Sequence, residues 1–255
     1  ALTLRPNVPA EMDDKAREML AGYYAHCTAL DDCMGRLLAT LDELASAENT
    51  IVVFTSDHGD MLGSHGMVEK CNPLDESLRV PLLIRWPAGL GAQPGESDVI
   101  LDMVDHLPTL SAMCGLGEVP SASGRDLSEH FRQGTTPDDN AAVYGSYVRF
   151  GTWLSQGERI DPLYRARVAR GIRTERYTYT EDLDGPWMLY DNETDPYQLN
   201  NLVNDGDLAD VRRDLARHLY ARLEANGDAF EPGEAMLERF YPGQMMGRNG
   251  ERRGA

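Results

Sequence analysis

The stretch Ile51–Lys70 reads IVVFTSDHGDMLGSHGMVEK, and it decides the fold. A short, continuously apolar, β-branched run, Thr50 to Thr55, has the pattern of a strand buried on both faces. It ends on an acid, an imidazole and a glycine: Asp57, His58 and Gly59. In α/β sheets, functional groups collect in the loops beyond the carboxyl ends of strands. A carboxylate and an imidazole adjacent at such an exit can reach one divalent cation. Gly59 would permit a sharp exit that leaves both side chains clear. Lys70, on the same loop, would add a mobile cation, and a metal with a lysine suits charge on a tetrahedral oxyanion. The same residues also fit a satisfied Asp-Gly turn with a solvent-facing histidine and lysine.

Around this stretch the pattern is helix, strand, loop, strand, helix, the grammar of an α/β domain with a largely parallel sheet. Glu11–Leu44 predicts one long helix, with Leu20, Tyr23, Tyr24, Cys27, Leu30, Met34, Leu37, Leu38 and Leu41 recurring at three- and four-residue steps. Asp57–Asp75 is loop-like. Val80–Trp86 predicts a second strand, Val99–Leu101 a third, and His106–Cys114 a short helix. The polar, turn-rich stretch Glu118–Asn140 predicts a linker. Beyond it, Ala142–Val148, Val168–Thr174, Tyr177–Glu181 and Trp187–Tyr190 predict short strands, and Leu208–Leu223 an amphipathic helix. The chain thus divides into an α/β portion, residues 1–140, and a smaller antiparallel α+β subdomain, residues 141–255. The Gly- and Arg-rich tail from Glu231 is expected to be loosely ordered.

Composition excludes several classes. With 24 basic and 42 acidic residues among 255, the net charge is -18, which disfavours nucleic acid or an anionic membrane as partner. Any anion site must be made locally. No apolar run reaches the roughly 18 residues of a membrane span, and Ala1–Arg17 lacks the apolar core of a secretory signal. A start at Ala1 rather than Met suits a stretch excised from a longer chain. Cys27, Cys33, Cys71 and Cys114 have the spacing of neither a zinc site nor a disulfide framework, so buried or free thiols are expected.

TSDHGDMLGSHGMVEK followed by ESLRVPLLIRWP resembles the C-terminal half of the sulfatase family, in the alkaline phosphatase superfamily. AGYYAHCTALDDCMGRLLATLDEL resembles the helix before that family's metal strand, and LDMVDHLPTLSAMCGL the segment after it. GIRTERYTYTED and LYDNETDPYQLNNL resemble strands of its C-terminal subdomain. The resemblance spans about residues 1 to 225. It implies an alkaline-phosphatase-like α/β fold, and a metal pair at Asp57 and His58, where many members have Asn at the second position. It implies calcium as the metal, with magnesium or manganese as alternatives. It implies that Lys70 contacts the sulfate and the leaving oxygen. Lys70 and His65 are the substrate-binding candidates; His65 also reads as a surface or supporting histidine. Glu76 and Arg79 match a segment near the site and read more simply as an internal ion pair holding the loop.

One element of the family pattern is absent from this stretch. Sulfatases use a formylglycine made from Cys or Ser in Cys/Ser-x-Pro-x-Arg. Cys71-Asn72-Pro73-Leu74-Asp75 ends in Asp and lies after the metal strand, and no other match occurs. The aspartate pair, histidine and second lysine expected upstream have no counterparts; Asp13-Asp14 and Asp31-Asp32 fall on the predicted helix. The chain therefore reads as the back part of a sulfate ester hydrolase whose formylglycine lies in a missing N-terminal half. In the family's chemistry a hydrated aldehyde attacks sulfur, the alcohol leaves with help from the lysine, and a hemiacetal collapses to free sulfate. Alone, the chain is expected to be inert, and to self-associate or repack to cover its torn sheet edge. Two other readings stand beside this one: a phosphonate or phosphate ester hydrolase of the same superfamily, and a truncated non-catalytic homologue acting as an interaction module.

Overall fold

The computed structural model describes residues 2–91, 95–147, 168–232, 235 and 239. The chain forms two compact units. One comprises Ala1–Lys70, Leu74–Ala142 and Asp195–Leu199; the other comprises Cys71–Pro73, Val143–Thr194 and Asn200–Ala255.

In the first unit, helix α1 runs over Asp13–Glu43. Asp13 and Asp14 sit in its first turn, where carboxylates complement the helix dipole. Asp13 also pairs with Arg17 one turn on, at 2.9 Å. Strand β1, Val52–Thr55, pairs with β2, Leu82–Arg85. The register sets Val52 opposite Arg85 and Thr55 opposite Leu82. This pairing is antiparallel, where the α/β pattern led to a parallel expectation for the two strands. The connection between them has only the one-turn helix α2, Asp75–Leu78, and a single 3-10 turn at Ser64–Gly66. It lacks the crossover helix that usually returns a chain to parallel register, so the chain doubles back.

The third expected strand is absent: 99–101 is irregular. Its backbone groups are taken by side chains instead. Asn140 Oδ1 accepts from Ile100 N at 2.8 Å, and Arg125 donates to the Ile100 carbonyl at 3.2 Å. A further one-turn helix, α3, spans Pro87–Leu90, and α4 covers His106–Met113. The expected linker contains a helix, α5, Ser128–Gln133. That stretch is polar yet anchored. Asp105 is fully buried and takes the Arg125 guanidinium at 2.6 Å, while Arg125 also donates to the Ile100 and Ala141 carbonyls. Thr109 Oγ1 accepts from Leu127 N at 3.1 Å and donates to the Arg125 carbonyl at 3.2 Å.

Burial in this unit departs from the sequence pattern. Of α1 only Ala16 is buried; Tyr24 and Leu37 are each 53% exposed, and Tyr23 and Leu30 are also on the surface. Strand β1 is half-buried despite its unbroken apolar sequence, and Leu83 of β2 is exposed. The periodicities are those of a helix and a strand that bury apolar faces, but no layer covering them lies within the described residues of the unit. Cys27, Cys33, Cys71 and Cys114 form no disulfide and all are exposed, so the buried alternative does not hold.

The second unit follows its sequence closely. β3 (Ala141–Tyr147), β4 (Val168–Thr174), β5 (Tyr177–Asp182) and β6 (Gly185–Asp191) form one sheet in that order. The β4–β5 and β5–β6 pairings are antiparallel. Helix α6, Ala209–Ala225, buries Leu215, Leu219 and Leu223, a stripe at four-residue steps. Each such leucine contributes about 1.5–3 kcal/mol on leaving water. Buried Glu181 accepts from the hydroxyls of Tyr179 and Tyr220, the latter at 2.6 Å. Burial and the adjoining carboxylate raise both phenols, Tyr220 to about 12. Arg170, 1% exposed, is held by Asp228. The last residue of the strand expected over 142–148 and most of the 231–255 tail lie outside the described residues. No helix among the described residues is long and apolar enough to cross a membrane.

The Asp105–Arg125 pair yields the first prediction. Removing one partner strands a buried charge, which costs about 3–5 kcal/mol. Asp105→Ala should lower the urea midpoint accordingly, whereas Asp210→Ala, which breaks the exposed i,i+3 pair with Arg213, should change stability by less than about 0.5 kcal/mol. Equal, small effects would show that the buried network does not anchor this unit.

Candidate functional site

The turn after β1 is fixed by a close approach of two backbones. Gly59 N donates to the Ser77 carbonyl at 2.8 Å. A Cβ at position 59 would sit 1.9 Å from the Glu76 carbonyl oxygen, so no side chain fits. Glycine is needed here for that contact, not for a left-handed turn.

Asp57 and His58 are thereby held just outside the contact, with side chains 85% and 41% exposed. Asp57 Oδ1 accepts from His58 N at 3.0 Å and from Ser56 Oγ at 3.4 Å. The neighbouring imidazole, aided by these hydrogen bonds, holds the Asp57 carboxyl below its usual range. His58 Nδ1 lies 2.7 Å from the Gly59 carbonyl. A carbonyl only accepts, so neutral His58 carries its proton on Nδ1, leaving the Nε2 lone pair open. Nε2 lies 3.7 Å from Asp57 Oδ2. An anionic, exposed carboxylate beside an open imidazole nitrogen fits part of a divalent cation's shell. Among the described residues no group of three or more His, Cys, Asp or Glu side chains is gathered for a metal. The pair would thus supply two ligands of a larger set.

Lys70 closes the loop that follows. Met61 N donates to the Glu69 carbonyl at 2.8 Å and Gly63 N to the Met67 carbonyl at 2.9 Å, so the loop returns on itself. Lys70 is exposed, and no carboxylate among the described residues pairs with it. Between these ties the backbone is left-handed at Leu62, Gly63, His65, Gly66 and Glu69. For the three non-glycine residues this costs on the order of 1–3 kcal/mol each unless the surroundings enforce it. Gly63 packs closely on the helix: a Cβ there would sit 2.8 Å from Ala16 Cβ, the one buried residue of α1.

His65 does not join Asp57 and His58. It is half-buried in a separate polar knot around Asn7, which is 4% exposed. His65 N donates to the Asn7 carbonyl at 2.7 Å. Asn7 Nδ2 lies 2.7 Å from Glu76 Oε1, 3.1 Å from His65 Nε2 and 3.2 Å from the Tyr197 carbonyl. Glu76 pairs with Arg5 at 3.5 Å, not with Arg79 as the sequence suggested. Helix α2 is a single turn, and Arg79 at its end is already extended, which carries its exposed side chain off that face. Asn7 and Arg5 escaped the sequence reading, because nothing in Arg5-Pro6-Asn7 marks a partner 58 or 69 positions away.

Burial holds His65 below its ordinary value of 6.5, against the opposing pull of Glu76, the Tyr197 carbonyl and Asp195. Its folded pKa lies below its unfolded one, so its contribution to stability is complete above pH 6.5 and is lost as pH falls toward the folded value. His65→Gln should flatten the decline in stability below that pH, measured by urea denaturation in steps from pH 7.5 to 5. An unchanged slope would mean that His65 titrates alike in both states.

Comparison with known proteins places these features in a wider setting. A family model described as Sulfatase matches residues 5–116, and one described as N-sulphoglucosamine sulphohydrolase, C-terminal, matches residues 63–225. Over 252 residues the chain is 36% identical to the ulvan-active sulfatase of Formosa agariphila, covering 98% of this chain and 47% of that protein. The crystal structure of yidJ from Bacteroides fragilis superposes with a TM-score of 0.74 at 31% identity, covering 89% of this chain and 47% of that one. The phosphonate monoester hydrolase of Agrobacterium radiobacter superposes with a TM-score of 0.62 at 27% identity, covering 91% and 45%. The chain spans about half the length of the curated relatives it matches.

Proposed function

The chain belongs to the sulfatase family, with its alkaline-phosphatase-like α/β fold, and from that premise we propose that it forms the C-terminal part of a divalent-metal-dependent sulfuric ester hydrolase. The observation that carries this reading is the exposed Asp57–His58 pair at the exit of β1, followed by a closed loop ending on Lys70. The uncovered apolar faces of α1 and β2 support it too, as surfaces for the rest of such a domain.

In this reading Asp57, held anionic, and His58, through Nε2, are the residues that would hold the cation. When bound, a divalent cation polarises a sulfuryl oxygen as a Lewis acid. Lys70 places its ammonium where charge grows on the leaving oxygen, a local positive charge in a chain whose net charge is -18. His65 serves substrate through the loop it holds. The nucleophile, a formylglycine, is supplied by residues N-terminal to this stretch, which contains no Cys/Ser-x-Pro-x-Arg.

The likeness to a phosphonate monoester hydrolase supports a second reading, in which the substrate is a phosphonate or phosphate ester. Comparing kcat/KM of the full-length protein on 4-nitrophenyl sulfate and on 4-nitrophenyl phenylphosphonate separates the two.

Two outcomes are expected. With two of the six or more ligands that calcium takes, the 255-residue chain should bind calcium only weakly, with a Kd on the order of 10⁻⁴–10⁻³ M or above, and Asp57→Ala should abolish the calorimetric signal. Tight, stoichiometric binding that survives Asp57→Ala would overturn the assignment. The chain alone should not hydrolyse 4-nitrophenyl sulfate above background, and Lys70→Ala in the full-length protein should lower kcat by about 10²–10³. Turnover by the isolated chain that depends on Lys70 would place the nucleophile within it.

A further inference from the structure

The buried knot around Asn7 has a defined hydrogen-bond polarity. Asn7 Nδ2 faces three groups, Glu76 Oε1, the Tyr197 carbonyl and His65 Nε2. Asn7 Oδ1 is buried and has no partner. Turning the amide over would set Oδ1 against the Glu76 carboxylate and a carbonyl oxygen, both of which only accept. The amide is therefore oriented by its donors: its two hydrogens suit the two groups that only accept, and His65 Nε2 lies beside them at 3.1 Å.

The main chain adds a second tie, from His65 N to the Asn7 carbonyl at 2.7 Å. His65 stands at φ 54°, inside the run of left-handed residues that brings Lys70 round. Asn7 is outside that loop and grips it by both backbone and side chain. It also holds Glu76, whose own carbonyl closes on Gly59 and so on the exit that carries Asp57 and His58.

We propose that Asn7 is a positioning residue for Lys70: by clamping His65 and Glu76 together, it fixes the strained loop Gly59–Lys70 in the conformation that presents the ammonium to the leaving oxygen. The proposal rests on the role given to Lys70 above. Asn7 touches neither substrate nor metal in it. Its loss should therefore act on the step that Lys70 assists, and most on esters whose leaving oxygen most needs that charge.

The test uses the full-length protein and two aryl sulfates, phenyl sulfate and the better leaving 4-nitrophenyl sulfate. Asn7→Ala should lower kcat for phenyl sulfate about 10- to 100-fold with KM changed less than about threefold, and should lower it clearly less for 4-nitrophenyl sulfate. In a Lys70→Ala background the same substitution should have little further effect, because the two act as a unit. Hydrogen exchange over 59–70 should quicken, with α4 and the β4–β6 sheet unchanged. Asn7→Asp keeps the size and the backbone acceptor but removes both side-chain donors. It should show the same pattern, and it stands in if the alanine variant does not fold. Equal losses on both esters, or full additivity with Lys70→Ala, would overturn the positioning role while leaving Lys70 in place. If Lys70→Ala itself leaves kcat unchanged on both esters, the underlying role of Lys70 fails and the proposal fails with it.

Discussion

The contact that the first unit depends on is the seating of Gly59 against the backbone of Glu76 and Ser77. The Gly59 N–H reaches the Ser77 carbonyl, and the Glu76 carbonyl fills the space a side chain would take. One short contact thus ties the exit of β1 to helix α2 across the intervening loop. It leaves Asp57 and His58 outside, in solvent. It also holds the residue whose carboxylate turns inward to Asn7. The exposed pair and the buried knot are two faces of the same closure.

Charge is distributed accordingly. The chain is strongly acidic, so an anionic ester gains nothing from the field of the whole molecule. Several acids are instead kept occupied by specific partners. Asp105 is buried under Arg125, Asp191 is held below its usual range by Arg176, and Asp228 by Arg170. Glu181 accepts from two phenols, and Glu76 is shared by Arg5 and Asn7. Lys70 is outside this pattern: it is exposed at the end of a loop with no carboxylate among the described residues taking its charge. A cation left available in an acidic chain is the local feature an anion site requires.

The long helix shows how sequence and burial can part company. Its apolar residues recur as a packed stripe would demand, yet Tyr23, Tyr24, Leu30 and Leu37 face solvent in this chain. Its one buried contact is Ala16, set against Gly63 of the Lys70 loop. α1 therefore meets the loop near its own start, while its remaining turns leave their apolar residues exposed among the described residues. Strand β1 tells the same story: Ile51–Phe54 is four residues of unbroken apolar sequence, none fully buried.

What the sequence determined by itself was whatever depends on neighbours along the chain. Period and propensity placed α1, β1, β2, α4, the four strands of the second unit and α6 within a few residues, and the ordered motifs placed the family. Asp57, His58 and Lys70 could be put forward from sequence because they flank one strand and one loop. Tertiary structure decided what depends on partners far away in sequence. The antiparallel pairing of β1 with β2 follows from how their connection folds back, and the irregular course of 99–101 follows from side chains of Arg125 and Asn140 that take its backbone groups. The exchange of Arg79 for Arg5 as the partner of Glu76 follows from where a one-turn helix ends. Asn7 could not be read at all, since an asparagine in Arg5-Pro6-Asn7 gains its meaning only when His65 and Glu76 are folded against it. Local periodicity carries information about elements; hydrogen-bond polarity in a buried knot exists only once the elements have met.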